Sequence, residues 1–243
     1  MDAINWNATE LANHPFYDEY KKYTKLIISL NVCITAAKNC IELPYPEDTL
    51  SDHYVSFAIN CQSYFINAVG VREACNLKHL PTPLFSDEDD ALLTVGKVLR
   101  NIVAHGHLWT PVHRHERSPG LNAEYYGISK KELKRGVELA FDGVKEKNQA
   151  KYEAKTLRAL NYIDSVKYKK YLDISNFIHI HAITLVNGLI KSLDSAESNA
   201  SLREISELRK KCKFPTLAES LVTIKEHYQQ LLSLQKSEST IRQ

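Results

Sequence analysis

Apolar residues recur at three- and four-residue steps through most of the chain, and this spacing places them on one face of an α-helix. Eight Gly and eight Pro leave few breaks, which favours long helices over many short strands. The pattern predicts helices at about 16–43, 52–76, 86–105 and 174–193. Another helix begins at residue 129, and its pattern can be followed to residue 163. Two more begin near Ser201 and Thr216. The chain is therefore predicted to be all-α, an antiparallel helical bundle with additional C-terminal helices.

Several predicted helices begin with a hydroxyl residue that is followed three positions later by a carboxylate, the spacing of a capping box. These pairs are Ser86 with Asp89, Ser129 with Glu132, Ser201 with Glu204, and Thr216 with Glu219. Between the third and fourth helices, residues 107–127 contain two prolines and two glycines. We expect a loop there.

Cysteine usage and hydropathy bear on where the protein works. The five cysteines are an odd number with no C-x-x-C pair, and most lie in apolar helical stretches. The N-terminus is polar, and no apolar run approaches the ~20 residues that a membrane span needs. We therefore expect a cytoplasmic protein with reduced thiols and no membrane contact.

Charge is distributed unevenly, although the net charge is only +2. Residues 129–170 contain 12 Lys and Arg against 6 Asp and Glu, whereas residues 1–99 contain 7 against 13. A phosphate-binding surface would produce such a basic segment. A lysine-rich, solvated helix face is an equally good interpretation.

The end of the third predicted helix combines an arginine, an amide and an imidazole. Arg100 and Asn101 are adjacent, and His105 follows about one turn after Asn101, so the last two side chains share a face. At about 100° per residue, both lie opposite the apolar stripe, and Lys97 lies between this pair and Arg100. Gly106 is a natural residue just past a helix end.

The run Arg100-Asn101-Ile102-Val103-Ala104-His105 resembles the R-N-x-x-x-H signature of HEPN-superfamily ribonucleases. In that family the signature lies on a helix of a small all-helical domain, which dimerises so that two copies face one RNA backbone. The resemblance implies a HEPN-like core at about 15–165 and a C-terminal helical extension at about 170–235, within a single domain spanning 1–243. His107 fits a longer form of the signature, so the choice between the two histidines stays open.

The resemblance implies a metal-independent endoribonuclease without a cofactor. An imidazole titrates near neutral pH, so His105 would act as general base or acid. Arg100 would stabilise charge on the reacting phosphate, and Asn101 would orient the histidine or donate to a phosphate oxygen. Attack by the 2′-hydroxyl would leave a 2′,3′-cyclic phosphate and a 5′-hydroxyl. Because one chain supplies a single motif histidine, a homodimer would supply the second acid or base.

Residues around the motif are further candidates for RNA contact. The cationic or titratable candidates are Lys97, His107, Arg114 and Arg117, and the aromatic candidates for base stacking are Trp109 and Tyr125. For the two aromatic residues, packing under a loop is at least as good an interpretation.

Histidines near the motif also allow a metal-site interpretation. The pairs at 105–107 and 113–115 lie near Glu116, and such side chains bind zinc or another divalent metal. A third pair, His179 and His181, would have rings about 200° apart on a helix. No familiar metalloenzyme pattern fits, so we assign no metal ligand and place a metal-dependent hydrolase third.

Two further expectations depend on the resemblance. Members of the family are often toxins or phage-defence effectors, which implies an antitoxin, a regulatory protein or a trigger for this chain. Other members keep the bundle without the chemistry. The alternative to an RNA-cleaving homodimer is therefore a non-catalytic HEPN-like scaffold or a regulatory, RNA-binding module.

Overall fold

A computed structural model describes residues 11–42, 52–74, 85–104, 111–118, 121–141, 148–166, 170–196 and 200–241. These residues form eight α-helices and three short β-strands, so the predicted all-α class is confirmed. No helix in this part of the chain is long and apolar enough to cross a membrane.

The helices follow the predicted order closely. They are α1 (Tyr17–Glu42), α2 (Asp52–Ala74), α3 (Asp87–Ala104), α4 (Lys130–Phe141), α5 (Gln149–Ser165), α6 (Ile174–Ala196), α7 (Ala200–Lys211) and α8 (Leu217–Ile241). The strands are β1 (Val112–Ser118), β2 (Leu121–Ser129) and β3 (Tyr171–Asp173). The helical pattern that continues from Ser129 to residue 163 belongs to two separate helices, α4 and α5.

Capping pairs hold the starts of three helices. At the start of α3, the Asp89 amide donates to Ser86 Oγ at 3.1 Å and the Ser86 amide donates to Asp89 Oδ2 at 3.2 Å. Thr216 and Glu219 are bonded in both directions as well, whereas in the pair Ser129 with Glu132 the Glu132 amide donates to Ser129 Oγ at 3.4 Å. The predicted cap at Ser201 is wrong, because α7 already includes Ala200.

The predicted loop over 107–127 is wrong for most of its length, because β1 and β2 form an antiparallel hairpin there. The register runs from Val112 opposite Gly127 to Ser118 opposite Leu121. The other edge of β2 pairs with β3, so β2 is the central strand. Residues 125–128 are all buried, so this strand lacks the alternation of buried and exposed positions by which a half-buried strand is recognised.

The chain divides into two compact units. Unit 1 contains residues 1–31, 70–84 and 186–243, and unit 2 contains residues 32–69 and 85–185. The boundaries fall inside α1, α2 and α6, so each of these helices contributes to both units. This division differs from the predicted core and extension, because the first half of α6 belongs to unit 2.

Within unit 2, α3 packs against both α4 and α5. Ion pairs from α5 join the start of α3: Lys155 to Asp90 at 3.1 Å and Arg158 to Asp87 at 3.0 Å. On α4, a Cβ at Gly136 would lie 2.8 Å from Val98 Cγ1. Glycine at this position therefore lets the two helices approach closely.

A histidine of α6 also lies very close to α3. A Cβ at Gly96 would lie only 2.1 Å from His181 Nε2, so the imidazole rests directly on the α3 backbone. The other ring nitrogen, Nδ1, is hydrogen-bonded to the Tyr64 hydroxyl of α2 at 2.6 Å. Burial, followed by the nearby Cys33, raises the pKa of Tyr64 well above its usual value, so this hydroxyl stays neutral.

We expect Gly96→Ala to lower the free energy of unfolding by about 1–3 kcal/mol or more, because the new methyl group overlaps a buried ring. Gly70→Ala is the matched control, since its Cβ would lie 3.9 Å from Ser29 Oγ, an ordinary contact. That control should leave stability unchanged or raise it by about 0.5–1 kcal/mol through helix propensity. Urea denaturation measures both variants, and equal stabilities would contradict the close contact at Gly96.

Candidate functional site

The last turn of α3 carries the first half of the motif and lies at the edge of the core. Residues 91–99 are buried except for Lys97, whereas residues 100–103 are each half-buried. The expectation that α3 buries a single stripe is therefore wrong. Helices α4 and α5 and the His181 ring cover most sides of α3 before it reaches Arg100.

Arg100 has one polar partner in the described structure, its neighbour Asn101. Its Nη1 donates to Asn101 Oδ1 at 3.2 Å. Its Nε is buried and has no hydrogen-bond partner. No described carboxylate forms an ion pair with this guanidinium. The charge of Arg100 is therefore not paired with any carboxylate in the described ranges.

A half-buried guanidinium with an unsatisfied donor favours an anion. Leaving a buried donor without a partner costs about 1–3 kcal/mol, and more for a charged group. A phosphate or carboxylate oxygen would recover that cost, and the planar fork of arginine matches two such oxygens at once. An anion that approached from outside the described residues would thus find an unsatisfied donor at Arg100.

Asn101 lies beside this guanidinium and is also half-buried. Its carbonyl oxygen accepts the bond from Arg100, which leaves the NH2 group of the same amide to donate elsewhere. Arg100 and Asn101 thus present donors from adjacent positions. The predicted roles of stabiliser and orienter stay predictions.

The structure describes only some of the other predicted residues. Lys97 is exposed on α3. His105, His107 and Trp109 lie outside the described residues, and Arg117 is described only as part of β1, without its side chain. The candidate stacking role of Tyr125 is wrong, because only 1% of this residue is exposed.

Arg114 is half-buried on β1 and stacks on an aromatic ring. Its guanidinium carbon lies 4.1 Å from the ring centroid of Tyr171 on β3. A Cβ at Gly127 would lie 3.0 Å from Tyr171 Cβ and 3.3 Å from Arg114 Cγ. The absence of a side chain at Gly127, on the strand between them, therefore leaves room for this stack.

Tyr171 also lines a cleft, which we call the basic cleft. It has a volume of about 860 Å³ and is lined by Ser129, Lys130, Lys131, Lys134, Arg135, Glu138, Asp164, Lys170 and Tyr171. Sequence reasoning did not single out these side chains individually. What the sequence does show is the excess of Lys and Arg over residues 129–170. The fold brings residues from the two ends of this segment together, and they line the cleft.

Two of the lysines in the basic cleft already have partners. Lys130 is 5% exposed, and its Nζ donates to the Val166 carbonyl at 2.9 Å. Burial lowers the pKa of Lys130, while the nearby Asp164 carboxylate acts in the opposite direction. Lys134 forms an ion pair with Asp164 at 2.5 Å.

The histidines are not gathered into a metal site in the described structure. His113 and His115 on β1 lie 3.9 and 3.8 Å from the carboxylate of Glu124. No group of three His, Cys, Asp or Glu side chains in the described ranges could hold a metal ion. His179 and His181 are both buried on α6. The Glu116 side chain lies outside the described part of the chain.

Comparisons with protein-family models, with curated proteins and with solved structures found no match to this chain. The site therefore has to be interpreted from its own geometry together with the motif.

Arg100 and Arg209 allow a direct comparison of two arginines. Arg209 is 3% exposed and donates from Nε to the Pro215 carbonyl at 2.7 Å and from Nη1 to Thr24 Oγ1 at 2.8 Å. We expect Arg209→Gln to cost about 1–3 kcal/mol of stability, because it removes two hydrogen bonds that a buried guanidinium donates. Arg100→Gln should change stability by less than about 1 kcal/mol. Denaturation curves measure both, and a large loss at Arg100 would indicate a structural role.

Proposed function

We propose that this protein is a metal-independent endoribonuclease in which Arg100, Asn101 and His105 form the reactive group. The observation that carries the proposal is the half-buried Arg100 guanidinium, with a buried, unsatisfied Nε and no anionic partner among the described residues. The resemblance of the motif to HEPN-superfamily ribonucleases supplies the reaction class and the role of His105.

The chemistry requires three proton or charge movements. A base removes the proton of the 2′-hydroxyl, and the resulting oxygen attacks the adjacent phosphorus. The bond to the 5′-oxygen then breaks, and an acid returns a proton to that oxygen. Between these steps, the phosphorane carries extra negative charge on its equatorial oxygens. Arg100 would bind one or two of these oxygens, and the NH2 group of Asn101 would position the imidazole or bind a third.

One histidine cannot readily be base and acid in the same turnover, so we propose that two copies of the chain form the complete site. Helix α2 offers a surface for such pairing. Val55, Ile59 and Ile66 are 49%, 59% and 51% exposed and lie within about 40° of one another around the helix. Three exposed apolar side chains on one stripe are more than the scattered residues of an ordinary surface.

A second candidate function is RNA binding without cleavage, as a scaffold or regulatory module. The basic cleft favours it, because its cationic side chains lie on α4 and near β3 rather than on the motif turn. One outcome separates the two functions. If the chain is a nuclease, replacing the motif histidine abolishes RNA cleavage, whereas a binding module cleaves no RNA with or without that histidine. A toxin or phage-defence role, with a neutralising protein, belongs to the first function.

We expect purified protein to cleave RNA in the presence of EDTA, and His105→Ala and Arg100→Lys each to slow this cleavage by about 100-fold or more. Lysine keeps the charge but loses the planar fork, so the second variant separates geometry from charge. His115→Ala is the matched control and should retain activity. Expression of wild-type protein should also arrest cell growth, and the arrest should disappear in His105→Ala.

Cleavage that persists in His105→Ala, or that requires added metal, would contradict this assignment. If His105→Ala is active and His107→Ala is inactive, the motif is right but its histidine is the second one.

We expect Ile59→Glu to raise the dissociation constant of the dimer by about tenfold or more, because association would then bury an unpaired carboxylate. Leu157→Glu is the matched control, since this α5 residue is also 59% exposed. Analytical ultracentrifugation over a range of concentrations measures both. A wild-type chain that stays monomeric while cleaving RNA would contradict the two-copy site, and equal effects of the two variants would exclude α2 as the interface.

A further inference from the structure

The basic cleft carries more positive charge than its own residues neutralise. Five of its side chains are basic and two are acidic. Asp164 pairs with Lys134, and Lys130 donates to a backbone carbonyl. The side chains of Lys131, Arg135 and Lys170 are exposed, and none has a polar partner in the described ranges. Clustered cations repel one another, and a bound polyanion would relieve that repulsion.

The cationic side chains of the cleft are also placed one after another, which suits a chain of phosphates. Lys130, Lys131, Lys134 and Arg135 follow one another along the first turns of α4, spread over about 140° of the helix. Lys170 adds a charge from the segment that enters β3. A volume of about 860 Å³ is near the upper end of small-molecule pockets, so the cleft has room for more than a single ion.

An aromatic and guanidinium stack lies at the same place. Tyr171 lines the cleft, and Arg114 lies against its ring at 4.1 Å. Aromatic rings and guanidinium planes both accept stacked bases, and only an unpaired base has a free face to offer. This second observation favours a single strand over a duplex, and a nucleic acid over an acidic peptide.

We propose that the basic cleft binds the backbone of single-stranded RNA, with the Arg114–Tyr171 stack receiving one of its bases. The cleft would thus hold the RNA that is cut at Arg100, and this use of the cleft rests on the proposed function. Its residues are substrate-positioning residues, distinct from the motif.

Binding of a fluorescent single-stranded RNA with 2′-O-methyl groups tests the cleft, because such RNA cannot be cleaved by 2′-hydroxyl attack. We expect Lys131→Glu/Arg135→Glu in the full chain to weaken binding about 30- to 100-fold. The slope of log affinity against log salt should also become shallower, by about 0.7 for each phosphate that the protein no longer neutralises. Lys22→Glu/Lys25→Glu on α1 is the matched control, with the same change in net charge at two exposed residues, and should bind within about threefold of wild type.

Tyr171→Leu tests the stack separately. We expect it to weaken binding about fivefold or more without changing the salt slope, because it removes stacking but no charge. Circular dichroism establishes that the variant is folded, and Arg114→Gln serves as a second variant if it is not.

The outcomes separate this inference from the proposed function. The cleft is supported if wild type and His105→Ala both bind the RNA tightly and the Lys131→Glu/Arg135→Glu protein does not. This result does not depend on whether RNA is cleaved. Wild-type affinity in the Lys131→Glu/Arg135→Glu protein overturns it, even if the chain is a nuclease. Equal competition by duplex DNA of the same length or by polyglutamate also overturns it, because the ligand would then be any polyanion.

Discussion

The contact between His181 and the α3 backbone at Gly96 brings α6 against the helix that carries Arg100 and Asn101. A ring can lie there only because Gly96 has no side chain, and the Tyr64 hydroxyl holds that ring from the other side. With α4 and α5 packed on other faces, α3 is buried at residues 91–99 apart from Lys97. Its last turn therefore follows directly from a buried segment, and residues 100–103 there are half-buried.

The electrostatic setting of Arg100 follows from that position. A charge at the edge of the core interacts more strongly with an approaching anion than a fully solvated charge does, because less water screens it. Arg209 shows the opposite use of the same side chain. Its donors are satisfied by Pro215 and Thr24, and burial lowers its pKa. Arg100 keeps an unsatisfied donor instead, and this difference is the physical reason for proposing that it binds a ligand.

The helices could be predicted from the sequence because their signals are local. The three- and four-residue spacing of apolar residues indicated which stretches are helical. Hydroxyl–carboxylate pairs at Ser86, Ser129 and Thr216 indicated where α3, α4 and α8 begin. The β-hairpin could not be found by periodicity, since β2 is central and buried on both faces at residues 125–128. The Pro119–Gly120 dipeptide between its strands was the signal that could have revealed it.

The candidate site was predicted in part. Adjacency of Arg100 and Asn101 is visible in the sequence, but the packing of α4, α5 and His181 on the helix that carries them comes from residues far along the chain. The basic cleft was visible only as a charge excess over residues 129–170. Its shape requires Lys170 to be brought beside Lys130, which the pairing of β3 with the end of β2 accomplishes.

The central claim is that Arg100 binds a phosphate that is attacked by the neighbouring 2′-hydroxyl. The most direct measurement is the chemical identity of the ends formed when the purified full chain acts on a mixed RNA pool in EDTA. The account predicts 2′,3′-cyclic phosphates and 5′-hydroxyls at every cut. Intact RNA, or ends that carry a 3′-hydroxyl and a 5′-phosphate, would contradict it.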